Sequence, residues 1–255
     1  MTLSLDDVTV STPPIGAATR ARARSRFFVV LAAVLLTIVA VGFARSFYFR
    51  SWWLATHPAL REPALPGYLI LHGLLLTAWY VGFLVQTFLI ASRRVRLHRT
   101  LGAISVGLAV GVLAMSALVV VRSVARSADG GVPASRLVPV VLGNFGTLVL
   151  FAGYFATGII YRRRPDVHKR VMLLAAISLI SPAIARVPGA LTMFPVFILL
   201  PVLVMLVALI GYDLRYLRRV HPATAWAEVA YVAVVGGFLV ASSTAFGLRI
   251  VEALR

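Results

Sequence analysis

Seven long apolar stretches, separated by short polar segments, make up most of the chain. A bilayer core needs roughly 20 apolar residues in each helix that crosses it, and every stretch comes close to that length. The predicted spans are residues 27–48, 67–91, 100–122, 138–161, 169–187, 194–217 and 224–248. We therefore predict an all-α, polytopic membrane helical bundle with about seven transmembrane helices.

Composition agrees with this pattern. Hydrophobic residues make up 60% of the chain and charged residues 13%, whereas a soluble domain is about half apolar and a quarter charged. The net charge of +17 does not favour nucleic acid as a partner, because the basic residues form short clusters between the apolar stretches. There they orient helices and contact lipid headgroups. Cysteine is absent, which excludes disulfides, thiolate catalysis and cysteine-based metal sites.

The basic residues also predict an orientation. Residues 1–26 are polar and end in four arginines, so we expect a flexible basic cytoplasmic tail followed by one transmembrane domain, 27–255. The tail and the second, fourth and sixth loops contain 16 of the 25 arginine and lysine residues. The positive-inside rule then places the N-terminus in the cytoplasm and the C-terminus outside. A bacterial cytoplasmic (inner) membrane is the expected location.

A small-residue pair and a proline predict where helices approach each other or bend. Gly107 and Gly111 form a GxxxG pair, a spacing that lets two helix backbones pack closely. Pro182 interrupts the fifth span and should kink it, because proline cannot donate the helical hydrogen bond to the Ser178 carbonyl.

A polar stripe occupies one face of the second span. His72, Trp79 and Gln86 recur every seven residues, and seven residues advance a helix by almost two full turns. Polar groups are costly inside a membrane, so this face is expected to point towards other helices. The stripe either binds a ligand or supplies hydrogen bonds between helices.

Three polar residues in different spans predict an outer pocket. In the expected orientation His72, Asn144 and Arg186 all lie in the outer half of the membrane, and Tyr154 shares a helix face with Asn144. Such a pocket would accept a small anion or a lipid headgroup. The alternative for Arg186 is anchoring of a helix end at the interface.

Two further histidines indicate a cofactor site on the opposite side. His98 opens the third span and His168 lies at the start of the fifth, and each precedes a basic residue. Imidazole is a common axial ligand of haem iron, so the pair could bind haem b, with Arg99, Lys169 and Arg170 available to its propionates. His72 would serve at most a separate outer group. Contact with lipid headgroups is the alternative for both histidines.

The motifs as a set resemble a family pattern. His72-Gly73, Trp79, Gln86, His98-Arg99 with Leu101-Gly102, and His168-Lys169-Arg170 are similar to the pattern of uncharacterised bacterial polytopic integral-membrane proteins. More distantly, the set resembles membrane b-type di-haem cytochromes, which implies paired histidine ligands within a helical core. This chain lacks the second histidine pair of that pattern.

Acidic residues are scarce in the spans. Only Asp213 and Glu228 come near membrane depth, and we expect Asp213 to pair with Arg215 or Arg218. Three hypotheses remain: a haem- or quinone-associated electron-transfer protein, a small-molecule or lipid carrier or accessory protein with an outer pocket, and a structural assembly subunit. An enzyme is the less favoured class, and membrane protein partners or a homo-oligomer are open alternatives.

Overall fold

The computed structural model describes residues 15–60, 62–187 and 196–255, with the backbone alone for 15–22 and 196–198. These ranges form helices and connecting turns, without a strand. The helices are α1 Ile15–Phe43, α2 Arg50–Thr56, α3 Gly67–Ala91, α4 Val95–Asp129, α5 Ala134–Ile160, α6 Pro165–Ser178, α7 Ser181–Ile184, α8 Val196–Leu217, α9 Pro222–Ser242 and α10 Ala245–Ala253.

Seven helical segments within these ranges are long and apolar enough to cross a membrane. They coincide with the seven predicted stretches, so the predicted all-α fold class is confirmed. This is the architecture of a multi-pass membrane protein. Its outward faces carry many large apolar side chains, such as Ile104, Val232 and Leu239, which a lipid environment accommodates.

The first span begins earlier than the sequence pattern predicted. Helix α1 starts at Ile15, so residues 15–26 are helical, and a π-helical turn at Ala44–Tyr48 continues it at the other end. The rest of the expected tail, residues 1–14, lies outside the described residues. Helix α4 also exceeds its predicted span, because it runs for 35 residues up to Asp129.

The fifth span is broken at the predicted place. Helix α6 ends at Ser178, and the short helix α7 begins at Ser181. Pro182 lacks the N–H that would have bonded the Ser178 carbonyl. Helix α6 packs against α1, α5, α8 and α9, and its residues 170–178 are all buried except Met172. The least regular span is therefore the centre of the bundle.

Consecutive spans pair as antiparallel hairpins, α3 with α4 and α5 with α6, while α1 packs on α3 and α9 on α5. The turns 92–94, 161–164 and 218–221 lie at one end of the bundle with the first turns of α1 that precede Phe27. We call this the Arg-rich end. At this end α1 is linked to α8, since the Arg24 guanidinium donates to the Tyr216 carbonyl at 3.1 Å.

Candidate cofactor and ligand sites

His98 and His168 lie side by side at the Arg-rich end. His98 is in the first turn of α4 and His168 in the first turn of α6, and both side chains are half-buried. Their ring centroids are 6.2 Å apart and their planes are inclined at 81°. The two helix starts, 70 residues apart in the sequence, thus bring the predicted pair of histidines together.

The ring nitrogens of His168 have distinct partners. Nδ1 lies 2.8 Å from the Gly158 carbonyl oxygen in α5. Because a carbonyl can only accept, Nδ1 carries the proton of the neutral ring, and the Nε2 lone pair is left available. Histidines that bind metals usually donate their other N–H to a carbonyl or carboxylate in this way.

Gln86 governs the tautomer of His98. The backbone of α4 sets the orientation of its amide: the oxygen accepts from the Gly102 N–H at 3.0 Å, and the nitrogen donates to the His98 carbonyl at 3.2 Å. The same nitrogen lies 2.5 Å from His98 Nδ1. Nδ1 is then the acceptor, and neutral His98 carries its proton on Nε2. Gln86 therefore serves the histidine pair.

The number of donors constrains which cofactor the pair could hold. Among the described residues, no group of three or more histidine, cysteine, aspartate or glutamate side chains could hold a metal ion. A zinc site needs at least three protein ligands, which this pair does not supply. Two imidazoles are, however, a complete axial set for haem iron, whose other four ligands belong to the porphyrin.

The polar stripe of the second span separates into three environments. His72 Nδ1 lies 3.5 Å from the Ser116 hydroxyl in α4, which is a long contact between helices. Trp79 is 3% exposed and packs edge-on against Phe151 at 4.9 Å. Its indole N–H has no hydrogen-bond partner in the part of the chain that the structure describes. The stripe faces other helices, as expected, but its members do not form one site.

The outer pocket is only partly assembled. Arg186 donates to the Pro182 carbonyl at 2.8 Å and lies over the Phe43 ring at 4.9 Å, and its charge acts on His72. Asn144 instead donates to the Val140 carbonyl of its own helix at 2.8 Å. The structure shows no contact between Asn144 and either His72 or Arg186.

Tyr154 also has a packing role. Its hydroxyl is buried and donates to the Ala227 carbonyl at 2.6 Å, which ties α5 to α9. Of the residues predicted for a ligand pocket, Tyr154 and Trp79 thus lie in the apolar core, and Gln86 contacts His98.

A buried charged network at the Arg-rich end was not predicted. Arg170 and Asp213 pair through several hydrogen bonds, including Nε to Oδ1 at 3.1 Å and a short contact from Nη2. The expectation that Asp213 pairs with Arg215 or Arg218 was wrong. Arg215 lies roughly 200° away around α8 at 100° per residue, and Arg218 follows the end of the helix with a positive φ of 60°, whereas Asp213 faces α6.

Asp213 has two further partners that complete its hydrogen bonding. The Thr224 hydroxyl donates to Oδ2 at 2.5 Å and the His221 N–H at 3.0 Å. His221 also caps α9, since its Nδ1 accepts from the Ala223 N–H at 3.1 Å, and its Nε2 then donates to Asp166 at 3.0 Å. Helices α6, α8 and α9 are held together by this network.

The network changes the expectation for haem propionates. Arg170 is 1% exposed and committed to Asp213, so it is unavailable to a bound anion. Lys169 donates to the Tyr212 hydroxyl at 2.9 Å. Of the three cations proposed from the sequence, Arg99 alone is exposed.

Comparison of the chain with family models, with curated proteins and with solved structures gave no match. The resemblance to bacterial membrane families and to b-type cytochromes therefore stays a prediction, and functional arguments rest on the geometry of the sites.

Proposed function

We propose that this chain is a membrane electron-transfer protein that binds haem b through His98 and His168. The observation that carries the proposal is the approach of the two rings, with centroids 6.2 Å apart. Two imidazoles on one iron are spaced similarly, since metal–nitrogen bonds of about 2 Å on each side add to the two ring radii. Haem would supply a one-electron couple.

One contact of the histidine pair supports this assignment, and a second would have to change. The Gly158 carbonyl fixes the ring of His168 so that Nε2 can act as a ligand. Ligation through Nε2 of His98 would require its proton on Nδ1, so the Gln86 amide would have to turn over and give up its bonds to the Gly102 N–H and the His98 carbonyl. Gln86 would thus be the positioning residue for His98.

Admission of a porphyrin requires a change in the side-chain packing around the histidine pair. Two cavities open at the Arg-rich end, and neither histidine lines them. With the two rings at their present spacing, it is the side chains around them that would have to move aside to make room for the macrocycle.

A quinone is the second candidate, and the ring protons favour it. With the Gln86 amide as its backbone partners set it, His98 offers an N–H at Nε2 and His168 offers a lone pair. Quinone carbonyls accept hydrogen bonds and quinol hydroxyls donate them, so one donor and one acceptor suit this class of ligand. No rearrangement of side chains around a porphyrin is then needed.

A visible spectrum distinguishes these candidates. The protein purified in mild detergent should show b-type bands in a reduced-minus-oxidised spectrum, before or after addition of hemin. His98→Ala and His168→Ala should each abolish the bands, while the matched control His72→Ala should retain them. Gel filtration of each variant verifies folding.

The result that contradicts haem is equally clear. Absence of bands in the wild type after hemin addition, or equal bands in all three variants, would overturn the assignment. If the wild type shows no bands, the purified proteins can be extracted and tested for quinone. Quinone present in the wild type but absent from both His98→Ala and His168→Ala would support a quinone site.

The orientation is part of the same proposal: the Arg-rich end faces the cytoplasm of a bacterial cell. It is supported by the excess of arginine and lysine at that end. Because the chain contains no cysteine, single substitutions Ser92→Cys and Asp129→Cys can report on the two ends. A membrane-impermeant maleimide should label intact spheroplasts at position 129 and spare position 92. The reverse labelling would contradict the orientation.

A further inference from the structure

A cavity of about 310 Å³ opens at the Arg-rich end where α1, α6 and α8 meet. Its lining includes one carboxylate, Asp166, and four cationic residues, Arg24, Lys169, Arg170 and Arg219. Ligand sites in proteins range from about 300 to 1,000 Å³, so the cavity has room for a small polar group. Neither His98 nor His168 lines it, and its function is separate from that of the histidine pair.

The carboxylates near this cavity are already engaged. Asp213 is fully buried and neutralises Arg170. Asp166 pairs with His221, with Nε2 and Oδ2 3.0 Å apart. Among the ion pairs of the described residues, none involves Arg24, Lys169 or Arg219. The cavity therefore has an excess of positive charge that the protein itself does not neutralise.

Two of the cations are held in place by aromatic residues. Lys169 Nζ donates to the Tyr212 hydroxyl at 2.9 Å and lies 5.2 Å from the centre of the Phe28 ring. Its ammonium group has two further protons to donate. Arg24 lies 5.4 Å from the Tyr216 ring and donates to the Tyr216 carbonyl. Such preorganisation lowers the entropy cost of binding an anion.

The location adds to this electrostatic preference. Lys169 lies in the first turns of α6, near the N-terminal end of a 14-residue helix whose dipole favours negative charge. Guanidinium and ammonium groups grouped around one cavity are typical of sites for phosphate groups.

We infer that the Arg24–Lys169–Arg219 cavity binds a phosphate group. The group belongs either to the headgroup of an anionic phospholipid or to a soluble phosphate anion. Both sources present the same charged oxygens to the three cations, and the cavity lies at the end of the bundle where α6 begins and α8 ends.

Two exposed cations provide a test that leaves the packed core intact. Arg24→Gln/Arg219→Gln removes two charges from the cavity, while Arg215→Gln/Arg218→Gln removes two exposed charges from the same end of α8 that do not line it. Isothermal titration of the detergent-purified protein with inorganic phosphate examines the soluble anion. Native mass spectrometry from nanodiscs of phosphatidylcholine, with and without phosphatidylglycerol, examines the headgroup.

Saturable phosphate binding that weakens at least about tenfold in the cavity variant, but not in the control, supports a soluble anion. Phosphatidylglycerol retained by the wild type and the control, and lost from the cavity variant, supports a lipid headgroup. Equal losses in both variants would show a nonspecific effect of net charge and overturn the proposal. Failure of the wild type to retain either probe would also overturn it.

Discussion

Arg170 and Asp213 form an ion pair that is closed off from solvent, with side chains 1% and 0% exposed. The pair joins the central helix α6 to α8, and Thr224 and His221 from the start of α9 donate to the same carboxylate. Every oxygen of Asp213 therefore has a donor. A buried charge is tolerated only when it is paired in this way.

Asp213→Asn should destabilise the protein strongly. Loss of the carboxylate charge leaves the Arg170 guanidinium buried without a counter-ion, and breaking such a pair costs about 3–5 kcal/mol of unfolding free energy. Equilibrium unfolding in mixed detergent–SDS micelles measures this change. The control is Glu62→Gln, which breaks the exposed ion pair with Arg50 and should cost less than about 1 kcal/mol. Similar losses in both variants would contradict the expectation.

Glu228→Gln should stabilise the protein, in contrast to Asp213→Asn. One carboxylate oxygen of Glu228 is buried and has no hydrogen-bond partner among the described residues, and the negative charge of Asp213 acts on it. Replacement by the neutral isostere relieves an unpaired buried charge, so unfolding free energy should rise by about 1 kcal/mol. The same micelle titration measures the change. A loss comparable with that of Asp213→Asn would mean that Glu228 has a stabilising partner.

The histidine pair should show complementary tautomers in the cofactor-free protein. His98 is expected to carry its proton on Nε2 and His168 on Nδ1, because Gln86 donates to one ring and Gly158 accepts from the other. Two-bond ¹H–¹⁵N correlation spectra distinguish the two forms. Gln86→Leu should remove the preference at His98 and leave His168 unchanged. A wild-type His98 protonated on Nδ1 would show that the Gln86 amide has the other orientation.

Substitution of Gly42 and of Gly107 by alanine should change the stability of the protein in opposite directions. A Cβ at Gly42 would overlap the Ala183 carbonyl oxygen, whereas a Cβ at Gly107 would meet no atom within 4 Å. Gly42→Ala should cost about 1–3 kcal/mol because α1 and α7 must move apart. Gly107→Ala should gain about 0.5–1 kcal/mol because alanine favours the helix. Thermal unfolding of both variants tests this, and destabilisation by Gly107→Ala would contradict it.

The fold was predictable because each span must by itself be long enough and apolar enough to cross the bilayer. Length and hydropathy are local properties, and Pro182 marks a break that follows from one missing N–H. Close packing was less predictable. The Gly107 and Gly111 pair does not bring two backbones together, since Gly107 faces open space and Gly111 makes an ordinary contact with the Leu75 side chain. A close approach to the backbone of another helix occurs instead at Gly42, which has no distinguishing motif.

Contacts between site residues could be predicted from the sequence only where a shared depth in the membrane is enough to bring two residues together. His98 and His168 begin helices on the same side, and the structure brings them together. The partner of Asp213 is 43 residues away in the sequence, and the rotation of α8 that selects Arg170 over Arg215 depends on packing across the whole bundle. Asn144 shares a predicted depth with His72, but it turns back to its own helix. Depth is therefore not sufficient to predict a pocket.

The central position of α6 has a consequence for the order of assembly. The span Pro165–Ile184 has the lowest mean hydropathy of the seven and the largest buried share, so it depends on protein neighbours more than on lipid. Synthesis delivers Arg170 before Asp213, its one carboxylate partner among the residues that the structure describes. Until α8 emerges from the ribosome, this segment is poorly suited to hydrocarbon. Stable integration of the fifth span therefore awaits the sixth span, and chains truncated before residue 213 should leave the fifth span at the membrane surface.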